Sequence, residues 1–258
     1  MILTVDKLSF AYSSGSDVLK NISFTAEKGE FISVLGPNGV GKSTLFRCIL
    51  GNLTGYTGEI RLDERDIRDF SPREMARYIA YIPQTHRPAF GYSVADTVLM
   101  GTTRQLSAFG QPGEKQESIA REAMERVGIG HLRERNFAHL SGGEQQLTLI
   151  ARAIAQQADI LVMDEPTSAL DYGNQLRVLA EVRKLARQGY TVLLSTHNPQ
   201  HALQFADRVL ALRNGTLAAD GPTDTVLTAP LIEKLYGVRA VFADTAAGRV
   251  LVPLEEKP

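Results

Sequence analysis

The residues best able to do chemistry lie in Gly36-Pro37-Asn38-Gly39-Val40-Gly41-Lys42-Ser43-Thr44, which satisfies G-x-x-x-x-G-K-[ST]. That spacing belongs to a loop whose backbone N–H groups wrap a phosphate chain. The glycines let the main chain come close, the N-terminus of the following helix adds positive potential, and Lys42 supplies a point charge for the β- and γ-phosphates. Ser43 is then placed to ligate Mg²⁺. An ordinary glycine-rich strand-to-helix turn needs neither Lys42 nor Ser43. A second segment, Ile160-Leu161-Val162-Met163-Asp164-Glu165-Pro166, is an apolar run ending in two adjacent acids. Asp164 suits the Mg²⁺ shell, directly or through water, and Glu165 can polarise a water toward a γ-phosphate. Taken alone, the pair would equally suit a strand that stops at a solvated turn.

His197 directly follows the apolar run Thr191 to Thr196. Ligands of open α/β sheets sit at the carboxyl ends of strands, so the ends at Gly36, Asp164 and His197 are expected to converge on one crevice. A capping or packed histidine is the alternative for His197. His197 and His201 also share the i, i+4 spacing of H-E-x-x-H zinc sites, but Asn198 stands where the general-base Glu belongs, Pro199 follows, and no third ligand is evident. Zinc is therefore rejected. A fourth segment, Leu140-Ser141-Gly142-Gly143-Glu144-Gln145-Gln146, leads into a helix with Leu147, Ile150, Ala151 and Ile154 on one face. Ser141 and Glu144 form an S-x-x-E capping box. Two glycines just after a cap are poor helix formers, however, and leave N–H groups bare toward a second anion. A triphosphate at Lys42 cannot easily also reach this element within one compact subunit; another subunit's nucleotide can.

These residues need a scaffold, and the hydropathy pattern supplies one. Phe31 to Leu35, Ile160 to Met163 and Thr191 to Leu194 are apolar runs without polar alternation, as in buried parallel strands. Helical patterns over Lys42 to Leu50 and Asn174 to Gln188 separate them, which predicts a three-layer α/β core. Thr4 to Phe10, Ile22 to Ala26 and Glu59 to Leu62 alternate apolar with polar residues and predict a flanking antiparallel β-subdomain. Between Ser93 and Gln157 the pattern is helical in three segments, broken at Gly110-Gln111-Pro112-Gly113, and predicts an inserted α-helical subdomain. Ser71-Pro72-Arg73-Glu74 is a further helix start. A short helical stretch to Tyr236 follows Pro222, and Ala240 to Phe242 with Val250 to Val252 form a candidate hairpin. The expected organisation is one domain over 1–258: the β-subdomain and core from 1–85 and 158–221, the helical subdomain from 86–157, and a C-terminal extension over 222–258.

Composition narrows the function classes. The chain has 258 residues, 43% hydrophobic and 22% charged, enough for a sizeable core and incompatible with intrinsic disorder. Its 28 Lys and Arg nearly balance 29 Asp and Glu, so no global field attracts nucleic acid, and no nucleic-acid partner is expected. The single cysteine, Cys48, forms no internal disulfide, and no apolar run is long enough to cross a bilayer. With no secretory signal at Met1 to Lys7, the chain reads as soluble and cytosolic.

Together the motifs resemble the ATP-binding-cassette ATPases nearly end to end, implying a P-loop NTPase fold that binds and hydrolyses ATP with Mg²⁺. By this resemblance Gly36 to Thr44 are the phosphate loop, and Gln84 is the switch-loop glutamine that contacts Mg²⁺ and the transport domain. Ser141-Gly142-Gly143, with Glu144, form the signature that meets the nucleotide of a second copy. Ser168-Ala169-Leu170-Asp171 is the dimer-interface loop, with Asp171 at the interface, and His197 is the switch histidine. Tyr12 sits where the family stacks an aromatic on adenine, against the alternative of a surface tyrosine. Asn198-Pro199 is a departure, since an acidic residue is commoner after the switch histidine. Ala89-Phe90-Gly91-Tyr92-Ser93-Val94-Ala95-Asp96-Thr97-Val98-Leu99-Met100-Gly101 and Leu235-Tyr236-Gly237-Val238 are similar to import subunits for iron-siderophore, haem or cobalamin chelates.

The implied assembly is an ATP-sandwich homodimer held peripherally at the cytoplasmic face of the membrane by integral permease subunits, which the surface Gln84 to Tyr92 would meet. An extracytoplasmic solute-binding protein would take part indirectly. Molybdate or tungstate importers carry similar segments. A soluble scaffold ATPase, as in iron-sulfur cluster assembly, is the competing class.

Overall fold

A computed structural model describes residues 1–13, 15–84, 91–106, 110–246 and 248–254. In chain order the strands and α-helices are β1 (Leu3–Phe10), β2 (Leu19–Ala26), β3 (Phe31–Leu35), α1 (Lys42–Ile49), β4 (Thr57–Leu62), β5 (Arg65–Asp66), α2 (Pro72–Tyr78) and β6 (Ile79–Ile82). They continue with α3 (Val94–Leu99), α4 (Glu114–Arg126), α5 (Gly142–Ala155), β7 (Ile160–Met163), α6 (Tyr172–Arg187), β8 (Thr191–Thr196) and α7 (Pro199–Phe205). The chain ends in β9 (Arg208–Arg213), β10 (Thr216–Pro222), α8 (Thr223–Val226), α9 (Ala229–Tyr236), β11 (Ala240–Thr245) and β12 (Gly248–Pro253). Two compact units result: Met1–Asp69 with Ala186–Pro258, and Phe70–Leu185.

In the first unit β3 runs parallel to both β8 and β9, and β9 turns back antiparallel into β10. Every residue of β3 and β8 is buried, as apolar runs without alternation require. Burying each large side chain contributes roughly 1.5–3 kcal/mol, so this strand pair fixes the loops at its carboxyl end firmly. The antiparallel layer forms from β2, β1, β4 and β5. β2 begins at Leu19, earlier than the alternation from Ile22 predicts, because Lys7 and Asn21 adopt left-handed backbone (φ 49 and 51) and the β1–β2 register slips there. Past β10, Leu227, Leu231, Ile232, Leu235 and Ala240 join one buried cluster with Leu35, Ala202, Val209 and Ala211.

In the second unit β6 and β7 are parallel neighbours, and α3, α4 and α5 pack on one another. These are the three helical segments expected between Ser93 and Gln157. The start predicted at Ser71 is present, with Ser71 and Glu74 closing a capping box on α2. Among the described residues no helix is long and apolar enough to cross a membrane.

Candidate functional site

The candidate phosphate loop is placed by β3 and α1. Gly36 leaves β3 with its N–H donating to the Thr196 carbonyl at the end of β8 (3.3 Å), which ties the loop's first residue to the strand end that precedes His197. Gly39 and Gly41 adopt φ 78 and 109, a left-handed backbone that L side chains resist. Lys42 is 4% exposed, and its ammonium donates to the carbonyls of Gly36 (2.8 Å) and Pro37 (3.0 Å). A buried ammonium is costly unless its donors are used, and these two bonds hold it at the loop's mouth. Pro37 and Val40 are half-buried, while Asn38, Gly39 and Ser43 are exposed.

The α1 start also passes a chemical test for a phosphate ligand. Its N-cap, Gly41, makes no side-chain hydrogen bond to the helix, and the first turn contains no acid. With neither a side-chain cap nor an acid there, the positive end of the helix dipole is left to face an anion. Tyr12 lies in the same unit, 42% exposed, its ring edge-to-face with Phe10 (centroids 5.0 Å apart) and its hydroxyl 3.4 Å from that of Thr44. His197 is exposed in the bend after β8. His201, one helical turn on, is buried, and its pKa is lowered by that burial and by the charge of His197.

The second unit holds the remaining candidates. Asp164 emerges from β7 buried, its N–H donating to the Ile82 carbonyl at the end of the neighbouring strand (3.0 Å). Glu165 follows in left-handed backbone, φ 44, a strained conformation of the kind that collects at functional turns. Its carbonyl accepts from the Ser168 N–H (3.2 Å) and hydroxyl (3.1 Å), and Gln84 donates to that same hydroxyl (3.2 Å). Gln84 is thereby linked to the turn carrying Glu165. Residues 85–90, most of the surface expected over Gln84 to Tyr92, lie outside the described residues.

At the start of α5, Glu144 accepts from the Ser141 N–H and hydroxyl (both 2.8 Å), and these bonds hold its carboxyl below the usual carboxylate range. Beside the bare N–H groups expected from the sequence, the structure shows a packing reason for the two glycines that no local pattern carries. A side chain at Gly143 would clash with Asn174, and one at Gly142 would sit 2.9 Å from the Leu170 side chain. The loop before α6 lies against Gly142 and the first turn of α6 against Gly143, which leaves no room for a larger side chain. Asp171 in that loop accepts from the Asn174 N–H (2.9 Å) and side-chain amide (2.7 Å), which lower its pKa. The structure thus brings Gln84 to Glu165, and the 141–144 segment to the Asp171 loop. Asn174, absent from the sequence-based candidates, joins the last two.

A family model described as ABC transporter matches residues 19–168. The hemin import ATP-binding protein HmuV of Rhodopseudomonas palustris (strain HaA2) is 36% identical over 97% of this chain and 96% of its own. A transporter described as of the metal-chelate ABC type, solved in an inward-facing conformation, superposes with a TM-score of 0.87 at 34% identity, covering 98% of this chain and 97% of the other. An ATP-binding cassette solved as a dimer with ADP and phosphate superposes with a TM-score of 0.73 at 26% identity, covering 86% of this chain and 99% of the other.

Proposed function

The chain belongs to the ABC transporter family of ATP-binding proteins, and from that premise we propose that it is the ATP-hydrolysing subunit of an importer for a metal chelate of the iron-siderophore, haem or cobalamin class. The observation that carries the ATPase reading is the α1 start, with no side-chain cap, no acid in its first turn and a buried Lys42. The chelate class rests on the likeness to a hemin import ATPase and to a metal-chelate type transporter. The helical subdomain over 86–157 and the extension over 222–258 belong to the same reading.

In this reading Gly36 to Thr44 hold the phosphates through main-chain N–H groups and Lys42, and Tyr12 stacks on the adenine. Ser43, Gln84 and Asp164 would hold Mg²⁺, which when bound offsets phosphate charge. The oxygen donors among them, the Ser43 hydroxyl, the Asp164 carboxylate and the Gln84 amide, fit a hard cation. Glu165 takes the proton of the attacking water, and His197 and Lys42 stabilise charge that develops on the γ-phosphoryl group. Ser141, Gly142, Gly143 and Glu144 meet the nucleotide of a second copy, and Asp171 lines that interface, so closing and opening of the homodimer is the output. Integral permease subunits hold the protein at the cytoplasmic face of the membrane, and an extracytoplasmic binding protein delivers solute to them.

Glu165→Gln tests the chemistry. Nucleotide affinity should stay near that of the parent, hydrolysis should fall by at least about 100-fold, and light scattering should find an ATP-loaded dimer. Hydrolysis near the parent rate would remove Glu165 from the reaction. Mass spectrometry of what purifies with the tagged chain from gently solubilised membranes tests the importer. A multi-span permease with a chelate-binding partner is expected; only soluble partners, in defined ratio, would overturn the importer in favour of a scaffold ATPase.

A further inference from the structure

The C-terminal hairpin and the helix after His197 form one mechanical unit. Strands β11 and β12 pair along their whole length, from Ala240 opposite Pro253 to Thr245 opposite Gly248. A two-stranded hairpin is marginal alone in water, so one of its faces must be covered. Ala240, Phe242 and Leu251 supply that face: Ala240 belongs to the buried cluster that also contains Ala202 of α7 and Leu231, Ile232 and Leu235 of α9, and half-buried Phe242 and Leu251 pack against it, as does Leu203 of α7. Arg249 ties the hairpin down further, with its guanidinium 4.2 Å from the Phe242 ring centroid and a hydrogen bond to the Asp224 carbonyl (3.1 Å).

A polar contact between hairpin and helix is made by the Leu251 N–H, which donates to the side-chain oxygen of half-buried Gln200 (2.9 Å). From Gln200 the bonds run straight to the residues on both sides of His197. The Gln200 N–H donates to the Asn198 side-chain oxygen (2.9 Å), and the Asn198 N–H donates to the Thr196 hydroxyl (3.0 Å). Asn198 is thus the N-cap of α7, with Pro199 at its first position, which accounts physically for the departure after the histidine. A helix of 7 residues is too short to hold its own first turn, so what fixes it must come from outside.

We propose that the C-terminal hairpin is a clasp on α7, and that Gln200 is a positioning residue that transmits it to His197. The inference rests on the role given to His197 above. It assigns to the extension a part in hydrolysis and leaves nucleotide binding to the phosphate loop.

The test is ATP hydrolysis by the full chain with Gln200→Met, which keeps the side-chain volume but loses the carbonyl acceptor, and Gln200→Glu, which keeps an acceptor. Gln200→Met should lower kcat about ten-fold with KM for ATP within about two-fold, because small displacements of a reacting group are costly. Gln200→Glu should restore kcat to within about three-fold of the parent. If Gln200→Met loses the fold, Gln200→Ala serves as a second acceptor-free variant. A helix that merely loosens would cost the same in any background. In His197→Ala, by contrast, Gln200→Met should change kcat by less than about two-fold, since the two act as one unit. An unchanged kcat in Gln200→Met, or the full ten-fold loss in both backgrounds, overturns the clasp. If His197→Ala itself keeps the parent kcat, the histidine's role falls and the clasp with it, a result distinguishable from failure of the clasp alone.

Discussion

Helices α1 and α5 both begin on glycine-rich runs, yet their starts are built on opposite principles. The α1 start is open: its N-cap is Gly41, no side chain caps it, and its first turn contains no acid. The α5 start is closed upon itself: Ser141 and Glu144 satisfy each other, and a carboxylate sits in the first turn. The glycines differ in the same sense. Gly39 is required by backbone conformation alone and Gly41 by conformation with Val18 and Leu19 close by, whereas Gly142 and Gly143 are required by space, because Leu170 and Asn174 lie against them. In the proposed reading the first element binds an anion by itself. The other already uses its cap and carries negative charge, so in that reading what it offers a nucleotide comes in the assembled dimer.

The sharpest way to break this contrast is Lys42→Ala. Removing a buried ammonium from the loop should weaken ATP binding to the isolated chain by at least about 100-fold, the scale of a charge-assisted phosphate contact in a shielded site. Calorimetry reads it directly, and an affinity near the parent value would mean that α1 does not bind the nucleotide on its own. Ser141→Arg should do the reverse. Affinity in the isolated chain stays within about three-fold while hydrolysis falls by about 100-fold, on the scale of lost transition-state contacts. Equal loss of both would make Ser141 a cap that serves the fold.

The glycines give a smaller and more local test. Gly143→Ala should cost about 2 kcal/mol of stability by overpacking, and less than about half of that when it is made in an Asn174→Gly background and compared with Asn174→Gly alone, because the clash is then gone. Gly39→Ala should cost about 1 kcal/mol through its φ of 78, with no neighbour whose trimming helps, since nothing lies within 4 Å of the added carbon. Denaturant midpoints measure all three. Recovery of Gly39→Ala by trimming a neighbour, or an undiminished cost of Gly143→Ala in the Asn174→Gly background, would erase the distinction between conformation and space.

The same contrast separates what sequence reveals from what it hides. β3, β7 and β8 are legible because burial on both faces leaves unbroken apolar runs, and the phosphate loop is legible because its chemistry is contained in consecutive residues. The first half of β2 is not, since the left-handed residues at Lys7 and Asn21 displace the alternation that marks a half-buried strand. The β9–β10 hairpin is absent from the sequence reading although Asn214-Gly215, both at positive φ, carries the signal of its two-residue turn. The packing against Gly142 and Gly143, and the bond from Leu251 to Gln200, have no local signature. Each depends on a partner far away in the chain that only the fold brings near.

The finest prediction concerns the charge that closes α5. Glu144 has its pKa lowered, first by the Ser141 N–H and then by the Ser141 hydroxyl, both of which bond its charged form. A carboxyl with a depressed folded pKa contributes stability that is present above its unfolded value and is lost as pH falls through the folded one. The parent should therefore lose capping of α5 in the acid range. Glu144→Gln, which can still accept from Ser141 but does not titrate, should lack that component and be about 0.5–1 kcal/mol less stable at neutral pH, the usual worth of a cap contact. Hydrogen exchange at the amides of α5, compared between the two proteins as pH is lowered, measures the difference. No acid closes the first turn of α1, so its amides should behave alike in both proteins. A change at α1 as large as that at α5 would mean that the charge acts on the fold as a whole and not through its own cap.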